Sequence, residues 1–270
     1  MLQIRFARTT DRDAILDLLQ EHAIDQSGWR LPVTWWLEQL RGPWAAPADP
    51  TALPPDEATL FVVSSGGGIV AVGTFTPAFG TRKAYPVWRL GRTVHASEDL
   101  GILHAVQTLQ LGHDVHGMSA LEILAALPDL AVGTAPAALL ESALRHLRAE
   151  AKPPATGQVF VRLRGVHAAD GSSAFWQTLG RPFCPPALSG LDASGLDQPH
   201  WKAGVAELLP RLPVYAAFLP QRAQSEIGQA DQALAGFQQG LVRLGLRESG
   251  LVDLIDAGPV HVARWHELAV

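Results

Sequence analysis

The order of apolar and polar positions along the chain predicts short strands interleaved with amphipathic helices. Met1–Phe6 reads as a strand, and Ile15, Leu18 and Leu19 recur at helical spacing behind Thr10 and Asp11, residue types that suit a helix N-terminus. A second amphipathic helix is predicted around Trp35, Trp36 and Leu40, ending at Gly42-Pro43. Pro43, Pro47, Pro50, Pro54 and Pro55 then preclude regular structure and predict an exposed connection over 43–55. Leu60–Val63 and Ile69–Thr74 flank Ser64-Ser65-Gly66-Gly67-Gly68, a hairpin pattern, and Trp88–Thr93 predicts another strand. Leu103–Leu111 has helical spacing, whereas Leu121–Ala126 is a mostly apolar run that predicts a strand buried on both faces.

Beyond Gly133 the chain breaks, and Pro136 suits the first turn of a helix running to about Arg148. Val159–Leu163 predicts a strand. Phe175, Trp176 and Leu179 predict a short helix with Gly180 as its left-handed stop. Residues 182–199, rich in Pro, Gly, Ser and Asp, read as loop; helical segments follow at Ala203–Leu209, Leu219–Ile227 and Leu234–Leu244. Leu251–Ile255 and Val260–Arg264 pair across an Asp256-Ala257-Gly258-Pro259 turn. This interleaving predicts an α/β or α+β fold with one mixed sheet, and no repeat of solenoid period interrupts it.

Composition narrows the partners more than the fold. The 270 residues are 47% hydrophobic and 17% charged with a net charge of −5, a mixture that suits a globule and argues against nucleic acid or an anionic membrane as an obligate partner. The single cysteine, Cys184, excludes a disulfide within the chain and any multi-cysteine zinc or iron–sulfur site. With no charged-then-apolar leader and no apolar run of the ~20 residues a membrane span needs, the expectation is a cytoplasmic, membrane-free protein.

The strand Leu121–Ala126, the small-residue loop Gly133-Thr134-Ala135 and the helix behind it form the most suggestive local pattern. Free backbone N–H groups and the positive end of the helix dipole make such a junction a cradle for phosphate or pyrophosphate. The same pattern also describes an ordinary strand–helix connection. It has neither the Gly-Lys-Ser/Thr of a P-loop nor the three glycines of a dinucleotide fingerprint. Phe175–Gly180 reads as a core helix or as one wall of an acceptor cleft. His113 and His116, beside Asp114, read as exposed structural residues, a base or two ligands of a metal whose third ligand the sequence does not identify. Cys184 has no helix N-terminus to activate it, and no Gly-x-Ser-x-Gly elbow occurs.

Taken together, several stretches resemble the arginine N-succinyltransferases, from Ile4-Arg5 to about Arg264. They are Thr93-Val94-His95-Ala96-Ser97, Arg164-Gly165-Val166, Phe175–Gly180, Glu207-Leu208-Leu209-Pro210, Pro213-Val214-Tyr215, Phe218-Leu219, Ile227-Gly228-Gln229 and Asp253-Leu254-Ile255-Asp256 with Gly258-Pro259. The resemblance implies a single domain over residues 1–270 with the α+β acyl-CoA N-acyltransferase (GNAT) fold. It implies succinyl transfer from succinyl-CoA to the α-amine of arginine, with succinyl-CoA as a cosubstrate, no permanently bound cofactor and no metal. Leu121–Ala126 becomes the strand whose backbone pairs with pantetheine, Leu124 falls at the succinyl-CoA position, and Gly133, Thr134 and Ala135 become the pyrophosphate loop. Trp176 and Gln177 fall on the acceptor side. Arg164 is the candidate for the succinyl carboxylate and Asp114 for the guanidinium of arginine.

The chain departs from that pattern at places that matter. The loop's Arg-x-x-Gly-x-Gly form is reduced to Leu130-Ala131-Val132-Gly133-Thr134-Ala135, and Asn-Asp-His-Thr-Gly becomes His113-Asp114-Val115-His116-Gly117. The family's proton-donor histidine aligns with Asp231, which is either the donor here or the cap of the following helix; His116, with His113, is the substitute donor by motif. The family's further C-terminal segment is not among these 270 residues. The alternative expectation is a non-catalytic GNAT subunit paired with a related chain, in a homo- or hetero-oligomer.

Overall fold

The computed structural model describes residues 2–24, 58–81, 84–131, 135–150, 156–185 and 201–270. The helix expected around Trp35, Trp36 and Leu40, the connection over 43–55, and Gly133 and Thr134 lie outside the described residues. Among the described residues ten strands are present: β1 (Gln3–Phe6), β2 (Thr59–Ser65), β3 (Gly68–Thr76), β4 (Val87–Ser97), β5 (Ile102–Gly112), β6 (Ser119–Ala126), β7 (Gln158–Arg162), β8 (Val214–Tyr215), β9 (Arg247–Asp253) and β10 (Pro259–Arg264). They form one mixed sheet in the order β1-β2-β3-β6-β7-β10-β9-β4-β5-β8. β6 and β7 are its parallel pair; the other pairs are antiparallel. The expected α+β class with a mixed sheet is the observed one.

The helices are α1 (Arg12–His22), α2 (Pro128–Ala131), α3 (Ala135–Glu150), α4 (Trp201–Ala206), α5 (Gln221–Glu226) and α6 (Ala235–Arg243). Strand alternation sends neighbouring side chains to opposite faces. Phe61 and Val63 pack under α3 and α6 with Leu121, Ile123, Val161, Leu139, Leu144, Phe237 and Leu241. Leu60 and Val62 face Ile15, Leu18 and Leu19 of α1. Both faces of the central strands are thus covered, which is why their sequences read as continuous apolar runs. At Gly240 an added Cβ would meet Ala137 Cα at 2.9 Å, so a glycine lets α6 approach α3 closely. A separate core joins Trp88 and Val252 of the sheet to Phe175, Leu179, Val205 and Leu219.

Three expectations are corrected. Leu103–Leu111 is not a helix but most of β5, paired with β4 from Val87↔Gly112 to Ser97↔Ile102. Leu103, Val106 and Leu109 lie three residues apart only by coincidence: Leu103 is 80% exposed on a hairpin ribbon while Leu109 is buried. Gly180 is not a left-handed stop, since its φ is −91°. It is glycine because a Cβ there would lie 1.9 Å from the Trp176 ring, and residues 176–180 wind as a π-turn. Asp11 precedes α1 as expected, but its carboxylate binds the Arg5 guanidinium and the Arg8 N–H at 2.7 Å and makes no hydrogen bond to α1's own N-terminus.

β6 and β7 decide where a ligand can enter. They pair only at Ser119↔Val159 and Ala120↔Phe160, after which β6 continues along β3 and β7 along β10. The two arms therefore diverge toward their carboxyl ends. Within β6, Ile123 pairs with Gly73 and Ala125 with Val72, which leaves Leu124 as an extra, bulged residue on the opening arm.

Candidate functional site

A buried ionic network closes the base of the opening. Arg162, the last residue of β7, ion-pairs with Glu122 on β6 and with Asp253 at the end of β9, its Nη1 donating to Asp253 Oδ2 at 3.1 Å. The Tyr85 hydroxyl donates to the same oxygen at 2.9 Å, and the Arg162 guanidinium stacks 4.8 Å from the Tyr85 ring centroid. Burial lowers the Arg162 pKa, opposed by the charges of Asp253 and Asp256, but a guanidinium starts so high that it stays charged. Two carboxylates, Glu122 and Asp253, share this guanidinium, and Glu122 is the more exposed of them.

Three segments interlock just beyond β7: 163–167, 228–231 and 256–258. Gly165 bridges Ala230, the Asp231 N–H donates to the Arg164 carbonyl at 2.8 Å, and the Gly228 N–H donates to the Ala257 carbonyl at 2.9 Å. A Cβ on Gly165 would lie 2.2 Å from the Asp256 carbonyl oxygen, and one on Gly258 would lie 2.2 Å from that of Leu163. Only glycine permits this backbone crossing. The crossing brings Arg164 and Asp231 together at 2.6 Å. Asp231 Oδ1 also accepts the Ala233 N–H at 2.9 Å, so Asp231 caps the 3-10 turn Gln232–Leu234 that leads into α6. Asp256 and His167 meet in the same crossing, with Oδ2 3.9 Å from Nε2.

The remaining candidates are distributed around these features. The Leu124 carbonyl accepts the Ile24 N–H at 2.7 Å, and Ala23 bridges Ala125, so the chain following α1 already pairs with that part of β6. Ala135 opens α3, one residue ahead of the predicted start. The Trp176 backbone N–H donates to Ser173 Oγ at 3.2 Å, and the Ser173 hydroxyl donates to the Ile255 carbonyl, which ties this turn to the 256–258 segment. Gln177 accepts from Arg181 at 2.6 Å. Asp114 ion-pairs with Arg89 in a groove of about 370 Å³ lined by Gln110, Leu111, Gly112 and His113. Three strands separate β5, which leads into that groove, from β7, so Asp114 and Arg164 belong to different places. His116 is exposed with Nδ1 3.1 Å from the Gly80 carbonyl. Among the described residues no His, Cys, Asp and Glu group could hold a metal ion. Burial raises the Cys184 thiol pKa, the wrong direction for a nucleophile.

Sequence reasoning missed Glu122, Arg162, Asp253, Asp256 and His167. A signal existed for the first two: each is a charge inside an otherwise apolar strand, where an unpaired charge is untenable.

A mixed sheet that opens between two parallel strands, with helices on both faces, is the α+β arrangement that positions these residues. A family model described as Arginine N-succinyltransferase beta subunit matches residues 2–270. The arginine N-succinyltransferases of Shigella sonnei and of Escherichia coli are each 32% identical over 197 residues, 73% of this chain and 56% of theirs. The chain belongs to the arginine N-succinyltransferase family and spans about half the length of these relatives. Its fold is also that of the arginine/ornithine succinyltransferase subunit AI of Pseudomonas aeruginosa, with a TM-score of 0.71 at 22% identity over 99% of this chain and 78% of that one. Among the described residues no helix is long and apolar enough to cross a membrane.

Proposed function

We propose that residues 1–270 act as one cytoplasmic unit that transfers the succinyl group of succinyl-CoA to the α-amine of L-arginine. The observation that supports this most is the family match across residues 2–270. Succinyl-CoA is an activated thioester, so the protein's task is to align it with a neutral amine, take the amine proton, hold the tetrahedral oxyanion and protonate the thiolate. The cosubstrate lies between the diverging arms, its pantetheine along β6 ahead of Leu124, whose carbonyl already accepts from Ile24, and its pyrophosphate at Gly133, Thr134 and Ala135. No permanently bound cofactor is required. Arg164 faces the succinyl carboxylate, and the guanidinium of the acceptor, assigned from sequence to Asp114, meets the partly exposed Glu122 carboxylate. The test is thiol release by the purified protein with succinyl-CoA and a panel of amines, arginine first. Release that requires both substrates is expected; no release with any amine rejects the reading.

A second reading, a non-catalytic subunit of a hetero-oligomer, is supported by two observations. Asp231 is engaged by Arg164 and by its own cap, and Val94, Leu100, Ile102 and Leu103 are exposed on the β4–β5 ribbon. Absence of CoA binding by calorimetry, with thiol release restored only by a related chain, favours it.

A further inference from the structure

The turn between β9 and β10 is strained. Ala257 is fully buried and has a φ of 53°, a left-handed conformation that alanine adopts only where its surroundings enforce it. Here they do: the Ala257 carbonyl is held by the Gly228 N–H, and Gly258 passes too close to Leu163 and Gly165 to carry a side chain. The consequence is the placement of Asp256. Its carboxyl is only 2% exposed, Oδ1 accepts the Gly258 N–H at 2.8 Å, and Oδ2 is directed at the imidazole of His167.

The imidazole is oriented as well. His167 Nδ1 lies 3.0 Å from the Gly165 carbonyl, and because a carbonyl only accepts, Nδ1 carries the hydrogen of that bond. Nε2 is then the nitrogen left for chemistry, 3.9 Å from Asp256 Oδ2, on a side chain that keeps 18% of its surface exposed. His167 lies on the continuation of β7, the arm that bounds the opening, and Asp256 in the β9–β10 turn that crosses it. An imidazole held in one tautomer, with Nε2 free of a hydrogen bond and flanked by a buried carboxyl, is an arrangement for moving protons.

We infer that His167, positioned by Asp256, is the proton-transfer residue of this site, an inference that rests on the acyltransferase reading above. As the amine nitrogen bonds to the thioester carbonyl carbon, its proton passes to Nε2. The C–S bond then breaks, and the imidazolium, stabilised by the Asp256 carboxylate, returns that proton to the departing thiolate. Amide and free thiol are the products, and no further reactant is consumed. Arg162, Asp253 and His167 are the charged or titratable groups that face Asp256. Burial first, then the negative charge of Asp253, push the Asp256 carboxyl up to about 6, with His167 opposing, so this carboxyl exchanges its proton close to neutral pH.

Two readouts on the full chain test the inference. Carboxyl-carbon NMR follows the titration of Asp256, whose midpoint rises by about one pH unit in His167→Gln because the opposing influence of His167 is lost. An unchanged midpoint overturns the pairing, whether or not the protein turns over succinyl-CoA. In the thiol-release assay His167→Gln lowers kcat by about 100-fold or more while KM for succinyl-CoA stays within about twofold, and imidazole in solution restores part of the rate of His167→Ala. An unaffected kcat overturns the role. Asp256→Asn shifts the acid limb of the kcat profile, which a purely structural loss leaves in place. A wild-type protein that releases no thiol rejects the acyltransferase reading instead, and the carboxyl titration still decides the pairing.

Discussion

The layer beneath α3 and α6 and the corner at the end of β7 share the same strands and are built by opposite rules. Val159 and Val161 enter an apolar layer with Leu139, Leu144 and Phe237, while Arg162, one residue further along the chain, enters a corner of charges. In the apolar layer each side chain contributes independently, through area removed from water and close packing. In the corner no group is stable alone, since a buried charge is tolerable only beside its partners. Stability is therefore graded in one region and conditional in the other.

Substitutions sharpen the contrast. Arg162→Met removes the cation that Asp253 and Glu122 share, and urea denaturation is expected to show a loss of about 3–5 kcal/mol; adding Asp253→Asn and Glu122→Gln recovers part of it, because the like charges that faced the guanidinium are then gone. Leu144→Ala, fully buried in the apolar layer, costs about 2–5 kcal/mol, and no neutralising partner substitution relieves it.

Acid reveals a different sign in each of two carboxyls. In the unfolded chain an aspartate titrates near ~3.9, whereas Asp256 holds its proton to about 6 in the fold. Between those values the folded protein binds more protons, so this group's contribution to stability falls by up to about 3 kcal/mol as pH rises from ~4 to ~6. Denaturation midpoints at a series of pH values should show that slope in the wild type and not in Asp256→Asn. Asp11 works in the opposite sense: the Arg5 hydrogen bonds hold its carboxyl below the usual range, so its stabilisation is lost as pH falls through that lowered value.

Smaller effects separate the two roles of Asp231. Asp231→Ala loses both cap and ion pair and costs about 1–2 kcal/mol, whereas Asp231→Asn keeps the cap and costs less than about 1 kcal/mol. If His167 carries the proton, Asp231→Asn leaves thiol release nearly intact; a collapse of kcat returns that role to Asp231. At the low end, Glu207→Ala removes an exposed pair with Arg211 and changes stability by no more than about 0.5 kcal/mol.

Local signals carried most of the elements. Leu121–Ala126, Val159–Leu163 and Val260–Arg264 are strands within a residue or two of their predicted ends, and the helix placed at Pro136–Arg148 spans Ala135–Glu150. β5 was misread because a ribbon exposed over much of its length carries no burial pattern, so a chance three-residue spacing passed for a helix. Of the candidate site, Arg164 and Asp231 were named separately, but they are 67 residues apart and their ion pair is not written in either neighbourhood.

What the sequence determined by itself was the alternation of apolar runs and breaks, hence the mixed α+β sheet, and the family to which the motifs belong. Periodicity and turn chemistry are properties of a few consecutive residues, so they survive in a linear reading. The tertiary structure alone decided that β6 and β7 part after two residue pairs, that Arg162 joins Glu122 to Asp253, and that a strained alanine aims Asp256 at His167. Those facts depend on which distant segments share space, and glycines such as Gly165 and Gly258 permit that sharing only once the crossing chains are in place.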